Sequence, residues 1–433
     1  MRRHFSASVI ALVAAMALMA TACSDSKKSD TGSTSKATTT EAAAANARGN
    51  VDGTFTLGTL TPQSGDLKAI EKSLSTPIDL AVKEINAAGG VLGKDVVVSP
   101  ADDGTSPTVA QTSYDKLVNT DKVDAIVGPA PSGVAAKLAA GFGTDKLPVC
   151  SGSTTAASLK GVGDGYFFRT APGDNLQGPA LATLILGDNH KKVAIIARND
   201  DYGKGFSDAL KTALTQGGAT VGDAVLYNPD GGTFDADVQK ALDQAPDSIA
   251  VIGFNDDGAK VINALIAKGS GPSKLPTYTA DGMQGSSFAT TVDPSDPSKV
   301  AGIKGTAPAA SPAGIESPFQ AAFKATGVDP IFSSYYYDCT ILLALAAVAA
   351  KSDDGAKIKA AFAKNLSGTT DCNTFKDCSD ALKAGKTIHY RGASSTFDKW
   401  DVMQPGTGAY EVWSYDSAGK VVTEPADKQI KIS

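Results

Sequence analysis

Two short apolar runs, Ala125-Ile-Val127 and Leu147-Pro-Val149, each stop in small hydroxyl and glycine residues. The first continues as Gly128-Pro-Ala130-Pro131-Ser132-Gly133 and the second as Cys150-Ser-Gly-Ser153-Thr154-Thr155. Residues 134–140 and 156–159 then turn amphipathic, the pattern of buried parallel strands feeding helices. A strand end followed by a helix start leaves backbone N–H groups unpaired and pointing outward, which suits an anion such as a carboxylate. Ser132 and Thr155 would add hydroxyls beside those amides, although either one alone reads equally well as a helix N-cap. Two such ends close together favour a ligand site, because open α/β sheets bind ligands outside their strand C-termini.

The same residues are poor material for catalysis. The segment around Ser132 lacks the Gly-x-Ser-x-Gly spacing of a nucleophile elbow. A nucleophilic serine also needs a base, and the histidines stand isolated at positions 4, 190 and 389. His190-Lys-Lys reads as a solvated helix–strand junction. With no Cys-x-x-Cys either, a metal site is not expected. The expectation is noncovalent capture, with no catalytic residue, metal or cofactor.

The elements that would position these ends follow from the chain order. Residues 1–22 carry Arg2 and Arg3 followed by an apolar run at 9–22, too short to span a bilayer, so they read as a signal peptide. Residues 23–52 are rich in Ser, Thr, Lys and Ala, with no large apolar residue before Val51, and read as a flexible linker. The folded remainder, about 380 residues, exceeds what one compact core covers, so two lobes are expected. A net charge of −6, with no basic run beyond the signal region, argues against nucleic acid as partner. Strand-like runs at 55–60, 96–99, 125–128, 147–151, 193–197, 249–254 and 277–280 alternate with helical patterns such as 206–214 and 259–266. That alternation predicts parallel sheets with helices on both faces. In the first helix, Ile78, Ala81, Val82 and Ile85 fall at helical spacing, Thr76-Pro77 suits an N-cap and first-turn proline for at least its final turns, and Gly89-Gly90 suits its stop.

Further motifs have a recognisable order. They are Leu18-Met-Ala-Thr-Ala22-Cys23, Ala81-Val-Lys-Glu-Ile-Asn-Ala-Ala-Gly-Gly-Val-Leu-Gly-Lys94, Asp102-Asp103, and Phe168-Arg-Thr-Ala-Pro172 leading to Gln177-Gly178. Asp201-Tyr-Gly-Lys-Gly205, Tyr337-Asp338 before a Leu/Ala-rich helix, and Phe397-Asp398 follow. From about 56 to 420 the chain resembles the type I periplasmic solute-binding proteins of ABC importers, specifically the leucine/isoleucine/valine-binding type. The leader resembles a bacterial lipoprotein signal, with Ala20 where a Leu is usual, which implies a lipidated Cys23 anchoring an exported protein to the outer face of the cell membrane.

The resemblance implies an α/β fold of two doubly wound parallel-sheet lobes joined by three hinge crossings. These fall near Pro172-Gly173, Pro308-Ala309 and Thr396, giving lobe 1 as 53–172 plus 309–395 and lobe 2 as 173–308 plus 396–433. It implies that Ser132 and Thr155, with the backbone at Ser153, hold a ligand α-carboxylate and α-ammonium, that Asp281 accepts the α-ammonium, and that Tyr202 and Phe254 close over the ligand. A zwitterion leaving water needs charge-assisted partners at both ends, which is what such a clamp supplies. Asp281 also reads as a plain Asp-Gly turn. It is a methylene shorter than the family's glutamate, and Phe254 lacks the phenolic hydroxyl of the family's tyrosine. Apolar Ile70, Ala130, Pro131 and Phe332 fall at side-chain pocket positions and favour an aliphatic or small uncharged ligand, although Ile70 and Phe332 could equally pack in the core. Lys68-Ala-Ile-Glu71 replaces a segment in which the family shows a glycine, at the mouth of the pocket. The implied partners are a small amino acid or related amide and an ABC permease, with the protein itself a monomer. A sensor role, or an amide or urea-like ligand, is the alternative.

Four further cysteines make an even set in an exported chain. Cys372 and Cys378, six residues apart in a polar stretch, are expected to form a local disulfide. Cys150, at a strand end, and Cys339, in an apolar helix, are expected as buried free thiols, with pairing the alternative.

Overall fold

The computed structural model describes residues 51–433, so the signal peptide, Cys23 and most of the linker lie outside the described residues. The first sheet is five-stranded and wholly parallel, in the order β2-β1-β3-β4-β5. Its strands are β1 (Thr56–Thr61), β2 (Val97–Asp102), β3 (Ala125–Val127), β4 (Val149–Ser151) and β5 (Phe167–Arg169). Helices α1 (Glu71–Ala87), α2 (Pro107–Asn119) and α3 (Ser132–Thr144) connect the earlier strands. Strands β3 and β4 are buried on both faces, as a parallel sheet covered by helices requires. Gly128 follows β3 at φ +118°, and a Cβ there would lie 2.0 Å from the Leu60 carbonyl oxygen. Only glycine lets the ends of β1 and β3 approach this closely.

The second sheet begins after α4 (Asp174–Gly187). Its parallel core comprises β6 (Lys192–Arg198), β7 (Thr220–Val221), β8 (Val225–Tyr227), β9 (Ser248–Ile252), β10 (Thr277–Thr279) and β11 (Lys304–Pro308). Helices α5 (Asp201–Gln216), α6 (Asp235–Leu242), α7 (Asn255–Ala267) and α8 (Phe288–Val292) pack around it. Gly178 of α4 meets α5 so closely that a Cβ would sit 2.7 Å from the Ala209 Cβ, which fixes the neighbouring Gln177.

The chain then returns to the first sheet with α9 (Pro318–Lys324), α10 (Ser333–Ala350), α11 (Gly355–Phe362) and α12 (Phe375–Lys383). Helix α10 is long and apolar enough to cross a membrane, yet 89% of it is buried inside the protein. It is apolar all round because α1, α11, α12 and the first sheet enclose it. Two small pairs follow, β12 (Thr370–Cys372) with β13 (Ile388–Tyr390) and β14 (Trp400–Asp401) with β15 (Gln404–Pro405). Finally β16 (Gly408–Tyr415) joins β11 antiparallel, and β17 (Val421–Thr423) and β18 (Ile430–Ile432) pair with β16. The second sheet is therefore mixed, its antiparallel edge supplied by the end of the chain.

Three expectations change. Helix α1 starts at Glu71, and Pro77 lies inside it. The apolar face extends back through Leu74, and its burial outweighs the hydrogen bond that proline removes. The third passage between the sheets comes after Pro405 and not near Thr396. The β14–β15 hairpin stays on the first lobe, where Arg169 N donates to Met403 O at 3.0 Å. Finally, Cys150 and Cys339 are not free thiols but form a disulfide, with Cα atoms 5.5 Å apart. Packing of β4 on α10 brings together two residues 189 apart in sequence, which no local pattern reveals. A second disulfide joins Cys372 on β12 to Cys378 in α12.

Candidate functional site

The C-terminal ends of the two sheets face each other across a narrow cavity. Ile70, Ala130, Pro131, Ser132, Ser153, Thr155, Tyr202, Phe254, Asp281 and Phe332 all line it. Leu67 and Gly282 complete the wall. The space open to the centre of a water-sized sphere is about 20 Å³, room for a water or two, so the lobes are closed on one another. Roomier grooves lie beside α9 and where the three passages meet, about 520 and 350 Å³, but neither gathers these strand ends.

On the first lobe, hydroxyls stitch the ends of β3 and β4 together. Ser151 Oγ donates to Pro129 O at 2.7 Å, and Ser153 Oγ donates to Ala130 O at 3.1 Å and lies 2.9 Å from the Tyr336 hydroxyl. Ser132 is the first residue of α3, with Pro131 in the cap position, so it is not the N-cap. Its Oγ instead accepts from Ala156 N at 3.2 Å, bridging the two strand ends. The first-turn amides of α3 lack intrahelical partners, and Ser132, the first residue of that turn, lines the cavity. Only β3 feeds a helix; after Thr155 the chain makes a three-residue 3₁₀ turn, Ala157–Leu159. Beneath the loop, Asp103 accepts from Ala130 N at 3.0 Å and Thr105 N at 2.8 Å. Burial pushes its carboxyl up to about 7 against those two bonds.

The second lobe supplies aromatic rings and an acid. Tyr202 lies in the first turn of α5, which Asp200 caps by accepting from Gly203 N at 2.9 Å. Phe254 caps α7, and its N donates to Asp257 Oδ1 at 2.7 Å. The two rings stack with centroids 5.4 Å apart, and the Arg198 guanidinium sits 3.7 Å from the Phe254 centroid. Asp281 opens a 3₁₀ turn after β10 and is only 4% exposed. Its Oδ1 accepts from Gln177 Nε2 at 2.7 Å and from the Tyr202 hydroxyl at 3.4 Å. Gln177 Nε2 also donates to Thr306 O at 3.0 Å, which pins the amide. Burial raises the Asp281 carboxyl to about 6, and the bonds from Gln177, its own backbone and Tyr202 hold it from going higher. Both side-chain bonds come from neutral groups, so an arriving cation would be its first direct charge partner among the described residues.

Behind Asp281 lies Asp174, fully buried at the start of α4, with both carboxyl oxygens lacking a hydrogen bond. Burial foremost, then the charge of Asp281, push its carboxyl well above the usual range, while the positive charge of Arg169 pulls it back. Arg169 Nη1 is tied to the Thr154 and Ala156 carbonyls at 3.0 and 2.8 Å, and its Nε to Gln404 Oε1 at 2.9 Å. Sequence reasoning assigns no role to Leu67, Gly282, Asp174 or Gln177. The Gln177-Gly178 motif marks the last of these, but its aim at Asp281 appears only with the α4–α5 packing.

A periplasmic binding protein family profile matches residues 54–385, about three quarters of the chain. The chemotactic signal transduction system substrate-binding protein BasB of Halobacterium salinarum is 29% identical over 84% of this chain and 87% of its own. The Leu/Ile/Val-binding protein BraC3 of Rhizobium johnstonii is 30% identical over 49% of this chain and 58% of its own. The crystal structure of LivJ, the branched-chain amino acid transporter substrate-binding protein of Streptococcus pneumoniae solved with isoleucine, superposes with a TM-score of 0.69. That match is 24% identical in sequence and covers 88% of this chain and all (100%) of LivJ. The profile match and the shared two-sheet architecture show that this chain belongs to the periplasmic binding protein family, as a type I member related to the Leu/Ile/Val-binding proteins.

Proposed function

We propose that this is an exported, lipid-anchored binding protein that captures a small aliphatic amino acid between its lobes and presents the closed form to an ABC permease. The observation that carries the reading is the convergence on one cavity of a buried acid in one lobe and two hydroxyl-rich strand ends in the other. Asp281 would accept the α-ammonium, and the amides and hydroxyls at Ser132, Ser153 and Thr155 the α-carboxylate. Tyr202 and Phe254 would cover the ligand, with Ile70, Ala130 and Phe332 facing its side chain. Closure about the three passages would be stabilised by contacts that only the closed state makes. Cys23 would hold the protein at the outer face of the membrane. Family membership supports binding rather than catalysis.

A sensor role is the second reading, and the likeness to the chemotactic signal transduction protein of Halobacterium favours it. The same cleft and hinge would serve either output. The test of the ligand class is a thermal-shift panel on protein unfolded and refolded to strip carried-over ligand. A shift with leucine, isoleucine, valine or a smaller amino acid supports the reading. A shift only with an amide, urea or an aromatic carboxylate keeps the fold and discards the zwitterion clamp.

A further inference from the structure

Two aspartates of the first lobe reach across the mouth of the cleft, one on each side of the pocket. Asp66, beside pocket-lining Leu67 in the loop after β1, places Oδ2 3.6 Å from Arg198 Nη1 at the end of β6. Asp329, three residues before pocket-lining Phe332, accepts from Ser286 N at 3.2 Å, in the loop between Gly282 and α8. Each contact joins the lobes, so each must break when they separate. The first is also wired to the pocket: the Arg198 guanidinium lies on the ring of Phe254, which lines it.

We propose that Asp66 and Asp329 form a two-sided latch that sets the closed fraction, and thereby the dwell time of the ligand, without touching the ligand. The proposal rests on the closing-cleft reading above, but not on which ligand is bound. Arg198 is preorganised for its part. Within its own lobe it is held by Asp200 at 2.6 Å and by Asp257, so Asp66 meets a fixed guanidinium instead of a free side chain. Asp256 and Asp257 also face Asp66 and repel it, which keeps the pair in the low range of partly exposed ion pairs. The Asp329 bond to a backbone amide has no such opposition from a like charge on its donor. The two contacts therefore differ in salt dependence, because only the first is an ion pair.

The test is made without ligand, by single-pair energy transfer in the stripped full chain, with dyes at exposed Lys137 of α3 and Ala267 of α7. The double variant Asp66→Asn/Asp329→Asn should raise the open-to-closed ratio on the order of three- to tenfold. Its thermal midpoint should stay unchanged, and Asp66→Glu should restore most of the Asp66 share. With whichever amino acid binds, the variant should release it faster by a similar factor, with little change in association rate or ligand ranking. An unchanged ligand-free distance distribution would overturn the latch even where amino-acid binding is intact. A shift of that distribution in a protein that binds no amino acid would uphold the latch and refute only the ligand class.

Discussion

Replacing Asp281 with asparagine should move stability and affinity in opposite directions. The carboxyl is fully buried and its folded value is raised from 3.8 to about 6. A group raised in this way stabilises the fold while protonated, and that contribution is lost as pH rises through about 6. At pH 7.5 the ionised side chain therefore costs the ligand-free fold roughly 3 kcal/mol. Asparagine keeps an oxygen for Gln177 Nε2 but carries no charge, so Asp281→Asn should stabilise the empty protein by about 1–3 kcal/mol, a rise of a few degrees in thermal midpoint. The same change removes the partner of a buried ammonium, worth about 2–5 kcal/mol in such pairs, so affinity for an amino acid should fall about 30- to 4,000-fold. Scanning calorimetry of stripped protein and titration calorimetry with the best ligand read the two effects separately. A lower midpoint together with unchanged affinity would refute the electrostatic role of Asp281 and leave it as a structural turn.

The remaining predictions are simpler. Amino-acid affinity should hold steady above pH 7 and weaken about tenfold by pH 5, because Asp281 must shed a proton to receive the ammonium, and Asp281→Asn should abolish that slope. Removing the Cys150–Cys339 bridge should cost more stability than removing Cys372–Cys378. Their sequence separations are 189 and 6, and the chain-entropy account gives about 5 against about 2 kcal/mol in denaturant unfolding.

Much of this architecture is legible in the sequence because its signals are local. The runs at β3 and β4 end in the glycines and hydroxyls that terminate buried strands, and both ends lie at the cavity. Asp281 stands out because it closes a strand-like run, although only the structure shows it buried and not exposed in a turn. What stays hidden depends on packing between distant segments. The Cys150–Cys339 bridge, the Asp174–Arg169 cluster and the aim of Gln177 join residues that the tertiary fold alone brings together. The start of α1 is missed because proline reads as a helix boundary, and burial of Leu74 overrides it. The hairpin at 400–405 is too short for periodicity, so its loyalty to the first lobe emerges from tertiary contacts, the bonds of Arg169 to Met403 O and Gln404 and of Lys160 to Asp401.

The central claim is an oriented zwitterion between Asp281 and the strand ends of the first lobe. A crystal structure with the amino acid that gives the largest thermal shift tests it most directly. The account predicts the ammonium within hydrogen-bonding distance of Asp281, directly or through one water, and the carboxylate against the first turn of α3 with Ser132, Ser153 and Thr155. A ligand reversed in the cavity, or seated in the groove where the three passages meet, would contradict it.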